Sequence, residues 1–493
     1  MNEAIGTQTG DAMPFNEKAR STIIILALMG TLVNYVETMV VPALPVLSKF
    51  FDAQYSSLSW VLTIYLISGT VSAAIFGKLA DIVGKKKIFV LLAVAYAVAV
   101  SFGGFATSLG EFIAIRAVQG LGMGMFPVAF ALLNDELPAK DLPLAQGVIS
   151  ATFIIGASIG LVIGAWITQN FDWQWSYHSA IPVAFGLLIA SIFILKESNL
   201  RKKERIDFGG ITLLVTAIVS LLILLSQGVY WGWESPVIFS LAFLSISSFI
   251  LFYFYERVER EPFIDLKLLG IRNIFLANFA GLFVSGGMFY LFYTIPTLLE
   301  DPYPVGFGKD VFTAGLTVVP GAIMGIVVAP IAAAIIRKKG PKLAILIGTA
   351  IMIIAFILLY LNRGTPISIT EDAGFIGAGT AFVFVGMINM IIISTPKDSS
   401  GMATGMNTVF RNIGASIAPA ISGSIESQFV SPALVSIVPL PFGGMPYVPV
   451  FENFPSQQSF NLIYIIGLVT LLISLMFSLS MKRVVVNESN EVI

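Results

Sequence analysis

Glu37 is the side chain hardest to explain as structure alone. It lies between Gly30 and Pro45, in the first long apolar segment, and is the only carboxylate well inside an apolar run. The other acids sit in loops or within about a turn of a run's end. An ionised carboxylate in hydrocarbon is costly, so such a residue faces a bundle interior or a wet cavity and by default binds or moves something charged. A glutamate satisfied by a neighbouring helix is the plainer alternative. Two arginines, Arg116 and Arg411, also fall inside apolar runs and need partners. Gln119 stands about one turn from Arg116 and Asn407 one turn from Arg411, each pair on one helix face.

The elements that position these groups follow from composition. Of 493 residues, 56% are hydrophobic and 12% charged, against about 25% charged in a soluble domain. Such a chain is an all-α integral membrane protein of helical spans in a lipid bilayer. Its net charge of −1 gives no reason to expect nucleic acid. With no Cys and one His, disulfides, thiol chemistry and a metal site are not expected. No P-loop is present, so ATP-driven pumping is not expected, nor is any enzymatic activity or cofactor. The first 20 residues are polar and unlike a cleaved signal peptide, which leaves the first span as the insertion signal.

Fourteen apolar runs of about 20 residues are found, near 21–47, 58–79, 87–107, 112–133, 146–168, 176–195, 208–226, 236–255, 274–298, 312–336, 343–361, 373–394, 402–424 and 459–480. If they alternate, the Lys and Arg clusters fall on one side, which is then the cytoplasm. These are Lys85–Lys87, Arg201–Arg205, Arg257–Arg272, Arg337–Lys342 and Lys482–Arg483, with Lys18 and Arg20 before the first run. Both termini are then cytoplasmic in a multi-pass plasma-membrane protein.

The chain also repeats itself. The stretch Gly147–Ile159 aligns with Gly405–Ile417, 258 residues on, and Asp81–Lys87 aligns loosely with Arg337–Leu343, 256 residues on. Together these suggest two parallel six-span halves, an arrangement of transporters with a midplane site. The expected organisation is a tail over 1–20, a six-helix bundle over 21–200, an inserted two-helix hairpin over 201–265, a second six-helix bundle over 266–482 and a tail over 483–493. Neither inserted span carries an interior charge, so the pair is read as peripheral to any pathway. The proline-rich loop at 425–457 has no Lys or Arg and is expected to be a lid or a linker, with Phe442–Pro446 able to turn a hairpin.

The motifs now become specific. Gly77-Lys-Leu-Ala-Asp-Ile-Val-Gly-Lys-Lys-Lys87 resembles the loop 2–3 motif of the major facilitator superfamily, with Ile82 in place of the usual basic residue. An acid such as Asp81 at a helix end can meet another helix's positive N-terminus and act as a latch. The run Arg116-Ala-Val-Gln-Gly120 resembles the family's Arg-x-x-Gln-Gly motif. The glycines Gly147, Gly156, Gly160 and Gly164 resemble its antiporter motif, with Leu161 where Pro is usual and Ala165 for a Gly; small residues four apart let backbones pack closely. The Trp173–Pro182 segment, the inserted pair, and Asn407 with Arg411 are similar to the fourteen-span drug:proton antiporter branch. There Glu37 takes the place of an Asp and Pro42 that of an Asn. His178 sits in the first of these segments and is read as structural.

The resemblance implies a proton-coupled antiporter that exports amphipathic, cationic drugs or toxic compounds by rocker-switch alternating access. Glu37 and Arg116 would couple to protons. Glu37, Asn34, Tyr35, Gln119, Phe126, Tyr290, Tyr293, Asn389 and Asn407 would meet substrate. Phe289, Phe292, Met387 and Met390 would add an adaptable apolar wall. Gly77, Asp81, Gly84, Lys85, Arg337 and Arg411 would form the conformational latch, and Gly147, Gly156, Gly160 and Gly164 the gate between halves. A proton gradient would be the only driving partner, and a monomer is expected. Two alternatives stay open: a transporter of an anion or small metabolite bound by Arg116 and Arg411, and a membrane sensor or scaffold that transports nothing.

Overall fold

The computed structural model describes residues 17–53, 55–138, 141–198, 207–260, 262–264, 266–396, 399–439 and 447–484. Its long helices are α1 (Glu17–Thr38), α2 (Tyr55–Val83), α3 (Lys85–Gly103), α4 (Leu109–Glu136, with a 3-10 turn at Leu121–Gly124), α5 (Leu142–Asn170), α6 (Gln174–Ile194) and α7 (Phe208–Trp231). They continue as α8 (Pro236–Val258), α9 (Arg272–Glu300), α10 (Val319–Lys339), α11 (Pro341–Leu361), α12 (Pro366–Ile393), α13 (Ser400–Gln428) and α14 (Gln457–Ser480). A helix of 20 residues covers about 30 Å, the thickness of the hydrocarbon core.

The sequence sets several boundaries. α2 stops at Val83 because Gly84 takes φ 131°, and α10 stops at Lys339 because Gly340 takes φ 85°; both conformations suit glycine. Each is followed at once by the next helix, so the two repeats turn alike. α1 ends at Thr38; Pro42 then sits in a 3-10 turn, Val41–Ala43, before the short helix Leu44–Phe50. Asp207 and Ser235 cap α7 and α8 by accepting the Gly210 and Ile238 N–H groups.

Thirteen of these helices, among the described residues, are long and apolar enough to cross a membrane. The exception is α13, which has 29 residues but carries Asn407, Arg411 and Asn412 with several Ser and Thr. It can carry them because it packs between α2, α7 and α9. The helices α1–α6 pack among themselves, as do α9–α14, and the broadest contacts between the sets are α2 on α13 and α5 on α10. Those two contacts exchange under the repeat, since α2 matches α10 and α5 matches α13.

Among the described residues the chain is all-helical apart from one strand pair, and two details differ from the sequence reading. Residues Val430–Pro439 (β1) and Tyr447–Pro455 (β2) form an antiparallel pair, running from Val430 opposite Pro455 to Pro439 opposite Tyr447, with an irregularity between Leu434 and Ser436. Proline density reads as loop, yet in a two-stranded sheet each strand has a free edge where a residue without N–H is tolerated. The Phe442–Pro446 turn lies outside the described residues. Second, α12 starts at Pro366, so Asp372 lies inside a helix and is buried, not at a span end.

Candidate functional site

Glu37 owes its position to the end of α1. The last carbonyls of a helix have no partner within it. Here Arg116 of α4 supplies donors: it bonds the Val36 carbonyl at 2.9 Å and the Glu37 carbonyl at 3.2 Å, and through Nε the Val61 carbonyl of α2 at 3.1 Å. Tyr65 and Tyr96 add hydroxyl donors to the Val33 and Leu32 carbonyls. Arg116 is fully buried, lies 4.3 Å over the Tyr65 ring and bonds Gln119, which in turn donates to the Ala99 carbonyl. The arginine is therefore a clamp that holds the backbone beneath Glu37.

The glycine face of α5 works from the other side. A β-carbon on Gly156, Gly160 or Gly164 would stand 2.5 Å from the carbonyl oxygen of Thr31, Tyr35 or Met39 respectively. Thr38 Oγ1 also donates to the Ala157 carbonyl at 2.8 Å. These three glycines thus seat α1 on α5 within the first six helices, whereas the gate reading set them between halves. Helical spacing shows that a face is small but not which helix it receives. Gly147 alone of the four faces α10 and α12, in ordinary contact with Ala329 and Val385.

A cavity of about 440 Å³ opens above this clamp. Glu37, Asn34 and Thr38 of α1 border it, with Arg116, Phe153 of α5, Tyr293 of α9, Phe384 of α12 and Arg411 of α13. Glu37, Arg116 and Arg411 share this cavity, but no direct ion pair joins them among the described residues. Arg411 sits in the corner of two rings that meet edge-on, 4.3 Å from the Phe153 centroid and 4.1 Å from that of Phe384. Phe126 stacks on Phe153 at 4.2 Å. A guanidinium in this corner is held by cation–π attraction while it borders the cavity.

At the opposite end α2 and α13 meet backbone to backbone. A β-carbon on Gly77 would lie 2.5 Å from the Gly401 carbonyl oxygen. Asp81 Oδ2 accepts the Met402 N–H, in the first turn of α13, at 3.0 Å. Its neighbour Lys85 is 3.8 Å from Asp81 and 2.5 Å from Asp135, which also accepts from Ser198. Glu197 accepts the Lys86 and Lys87 N–H groups that open α3.

The structure therefore brings together Glu37, Asn34, Tyr293, Phe289 and Phe292 at the cavity, and Gly77, Asp81 and Lys85 where α2 meets α13, with Gly84 next to Lys85 and facing Glu197. Arg411 belongs with the cavity, not the latch: it is the twelfth residue of α13, about 17 Å along it. Arg337 is exposed at the end of α10. Tyr35, Gln119, Phe126, Tyr290, Asn389, Asn407, Met387 and Met390 do not border the cavity. Asn389 bonds its own helix at Val385, and Asn407 bonds Asn278. His178 packs against Phe105 and Trp175. Residues not anticipated include Phe153, Phe384 and, from the inserted pair, Leu222, Ser226 and Tyr230 of α7. The last three put one helix of that pair on the cavity wall, because a span without charge can still line a cavity.

Comparisons with known proteins agree with this geometry. Multidrug transporter protein MdtP of Bacillus subtilis (strain 168) is 28% identical over 414 residues, which cover 82% of this chain and 73% of that one. Multidrug export protein EmrB of Escherichia coli (strain K12) is 24% identical over 414 residues, covering 82% and 80%. The human organic anion transporter MFSD10 (TETRAN) superposes with a TM-score of 0.67 at 14% identity, covering 94% of this chain and all of that one. The proton:xylose symporter XylE gives 0.63 at 13% identity, covering 94% and 96%. Residues 26–419 match the Major Facilitator Superfamily. The chain belongs to that family, whose members are transporters and not enzymes.

Proposed function

We propose that this chain is a drug efflux transporter that exchanges protons for amphipathic cations. The multidrug relatives support efflux. The observation that carries the finer reading is Glu37 on the wall of a large, mostly apolar cavity, held there by its backbone with its carboxyl free of any direct ion pair among the described residues. Burial disfavours the charged form of a carboxyl. A proton or a cationic substrate each relieves that cost, and both cannot do so at once. Competition for one group is exchange.

The remaining parts fit alternating access. Two six-helix halves, 21–200 and 266–482, would rock about the cavity, with residues 201–265 as the inserted pair and α13 as the fourteenth span. The closed end, where Asp81 meets α13, would face the cytoplasm together with both termini, in the plasma membrane. A monomer suffices for this cycle, which needs no cofactor beyond the proton gradient.

One observation favours a second reading. Arg411 has no carboxylate partner among the described residues, and its Nε has no hydrogen-bond acceptor. An anionic substrate would satisfy it. Arg116 contributes little to such a site, because its donors are spent on carbonyls. The test is transport by reconstituted protein of cationic, anionic and neutral compounds, with and without a pH gradient. Cation movement driven by the gradient is expected. Gradient-independent movement, or anions alone, would reject the assignment.

A further inference from the structure

We infer that the inserted helix α7 is part of the transport site, a third wall that closes the seam between α2 and α13 and takes the aromatic part of a cationic substrate. The inference rests on the proposed function and names where that substrate is read.

The observation is a single row of side chains. Leu214, Ile218, Leu222, Ser226 and Tyr230 recur at intervals of four along α7, which makes one ridge of a helix. The first three are buried in an apolar cluster with Ile67 and Ala74 of α2 and with Met402 and Met406 of α13. One ridge therefore packs against a helix from each six-helix set, over the line where those sets meet. Further along, the apolar cluster ends and the cavity begins. Leu222, Ser226 and Tyr230 are its boundary there.

The outer end of α7 is fixed on both sides of the seam. Trp231 packs on Trp60 of α2 with ring centroids 6.1 Å apart, and Trp233 Nε1 donates to Ser424 Oγ of α13 at 2.9 Å. α8 lies behind: Ser245 Oγ bonds the Ala217 carbonyl on α7, and α8 is the least buried of the thirteen apolar spans. The pair thus divides its work, with α8 facing lipid and α7 facing the cavity.

The chemistry of the wall selects the ligand. Tyr230 of α7 and Tyr293 of α9 line the same cavity, and Phe289 and Phe292 border it with them. Ring faces with a hydroxyl from Ser226 attract a flat cation and hold it without a full charge of their own. Glu37 and Arg411 on the other walls are then left to respond to charge.

The chain has no cysteine, so single cysteines report without background. In proteoliposomes Ser226→Cys should react with a charged methanethiosulfonate reagent, and ethidium at about ten times its KM should slow that reaction about tenfold by occupying the site. Glu234→Cys, exposed in the turn between α7 and α8, should react and should not be protected. Tyr230→Ala should raise the KM for ethidium about tenfold with little change in kcat, and Tyr230→Phe should restore it. If the unmodified chain moves ethidium but Ser226→Cys is unreactive or unprotected, the inference is overturned while the function stands. If the unmodified chain does not move ethidium, the function on which it rests fails first.

Discussion

Adding one methyl group at Gly77 should unlatch the closed end. A β-carbon there would lie 2.5 Å from the Gly401 carbonyl oxygen, where ordinary contact begins at 3.4 Å. A carbonyl in the first turn of α13 cannot swing aside, so α2 must withdraw by about 0.9 Å, the difference between those distances. The bond from Met402 N–H to Asp81 Oδ2, now 3.0 Å, would stretch to about 3.9 Å and be lost. A buried hydrogen bond to a charged group contributes about 1.5–3 kcal/mol. At 1.4 kcal/mol per tenfold, the latched population should fall by roughly ten- to a hundredfold. Spin labels on cysteines at Lys87 and Lys338, both exposed at that end, would report it by pulsed dipolar spectroscopy. Gly77→Ala should move the distance distribution to longer values, and Gly401→Ala should do the same from the opposite side. An unchanged distribution in both would refute this account of closure.

Other predictions follow from the same geometry. Arg411→Lys keeps the charge but loses the flat guanidinium's contact with the Phe153 and Phe384 rings, about 1–2 kcal/mol, seen as a melting temperature about 1–2 °C lower in detergent. Gly160→Ala should displace α1 and abolish transport, because the β-carbon meets the Tyr35 carbonyl at 2.5 Å; Gly147→Ala, with no contact closer than 3.5 Å, should transport normally. Asp301, just beyond α9, is pushed from 3.8 up to about 7 by burial and then by the nearby Glu300. Because the folded state holds that proton more tightly than the unfolded chain, its stabilisation is complete below about pH 4 and is lost as pH rises through about 7. Asp301→Asn should therefore melt higher than the unmodified chain at pH 8 and no differently in strong acid, in thermal unfolding followed across pH.

Thirteen spans were legible because hydrocarbon demands long apolar helices, and α13 was legible as a helix despite its polar face because its Gly and Ala content keeps a run of the right length. Glu37 was legible because a carboxylate in an apolar run needs a reason. Arg411 was seen, but its setting was not, since contact with rings from two other helices leaves no local signature. The repeat held the clue. The 258-residue offset that matches Gly147 to Gly405 also matches Phe153 to Arg411 and Phe126 to Phe384. Residues near a pseudo-twofold axis meet their own counterparts, and Phe153 touches both Arg411 and Phe384. The partner of the α5 glycine face and the inward ridge of α7 were hidden for a different reason. Periodicity tells which side of a helix is special, but only packing tells what it faces.

Proton movement by Glu37→Gln in sealed proteoliposomes is the most direct measurement. With the unmodified chain, adding ethidium outside should drive protons across the membrane in fixed ratio to the dye. The glutamine variant should let dye equilibrate without moving protons, at any pH of the medium. A variant that still exchanges protons for dye in the original ratio would show that the cavity carboxyl is not the group on which coupling depends.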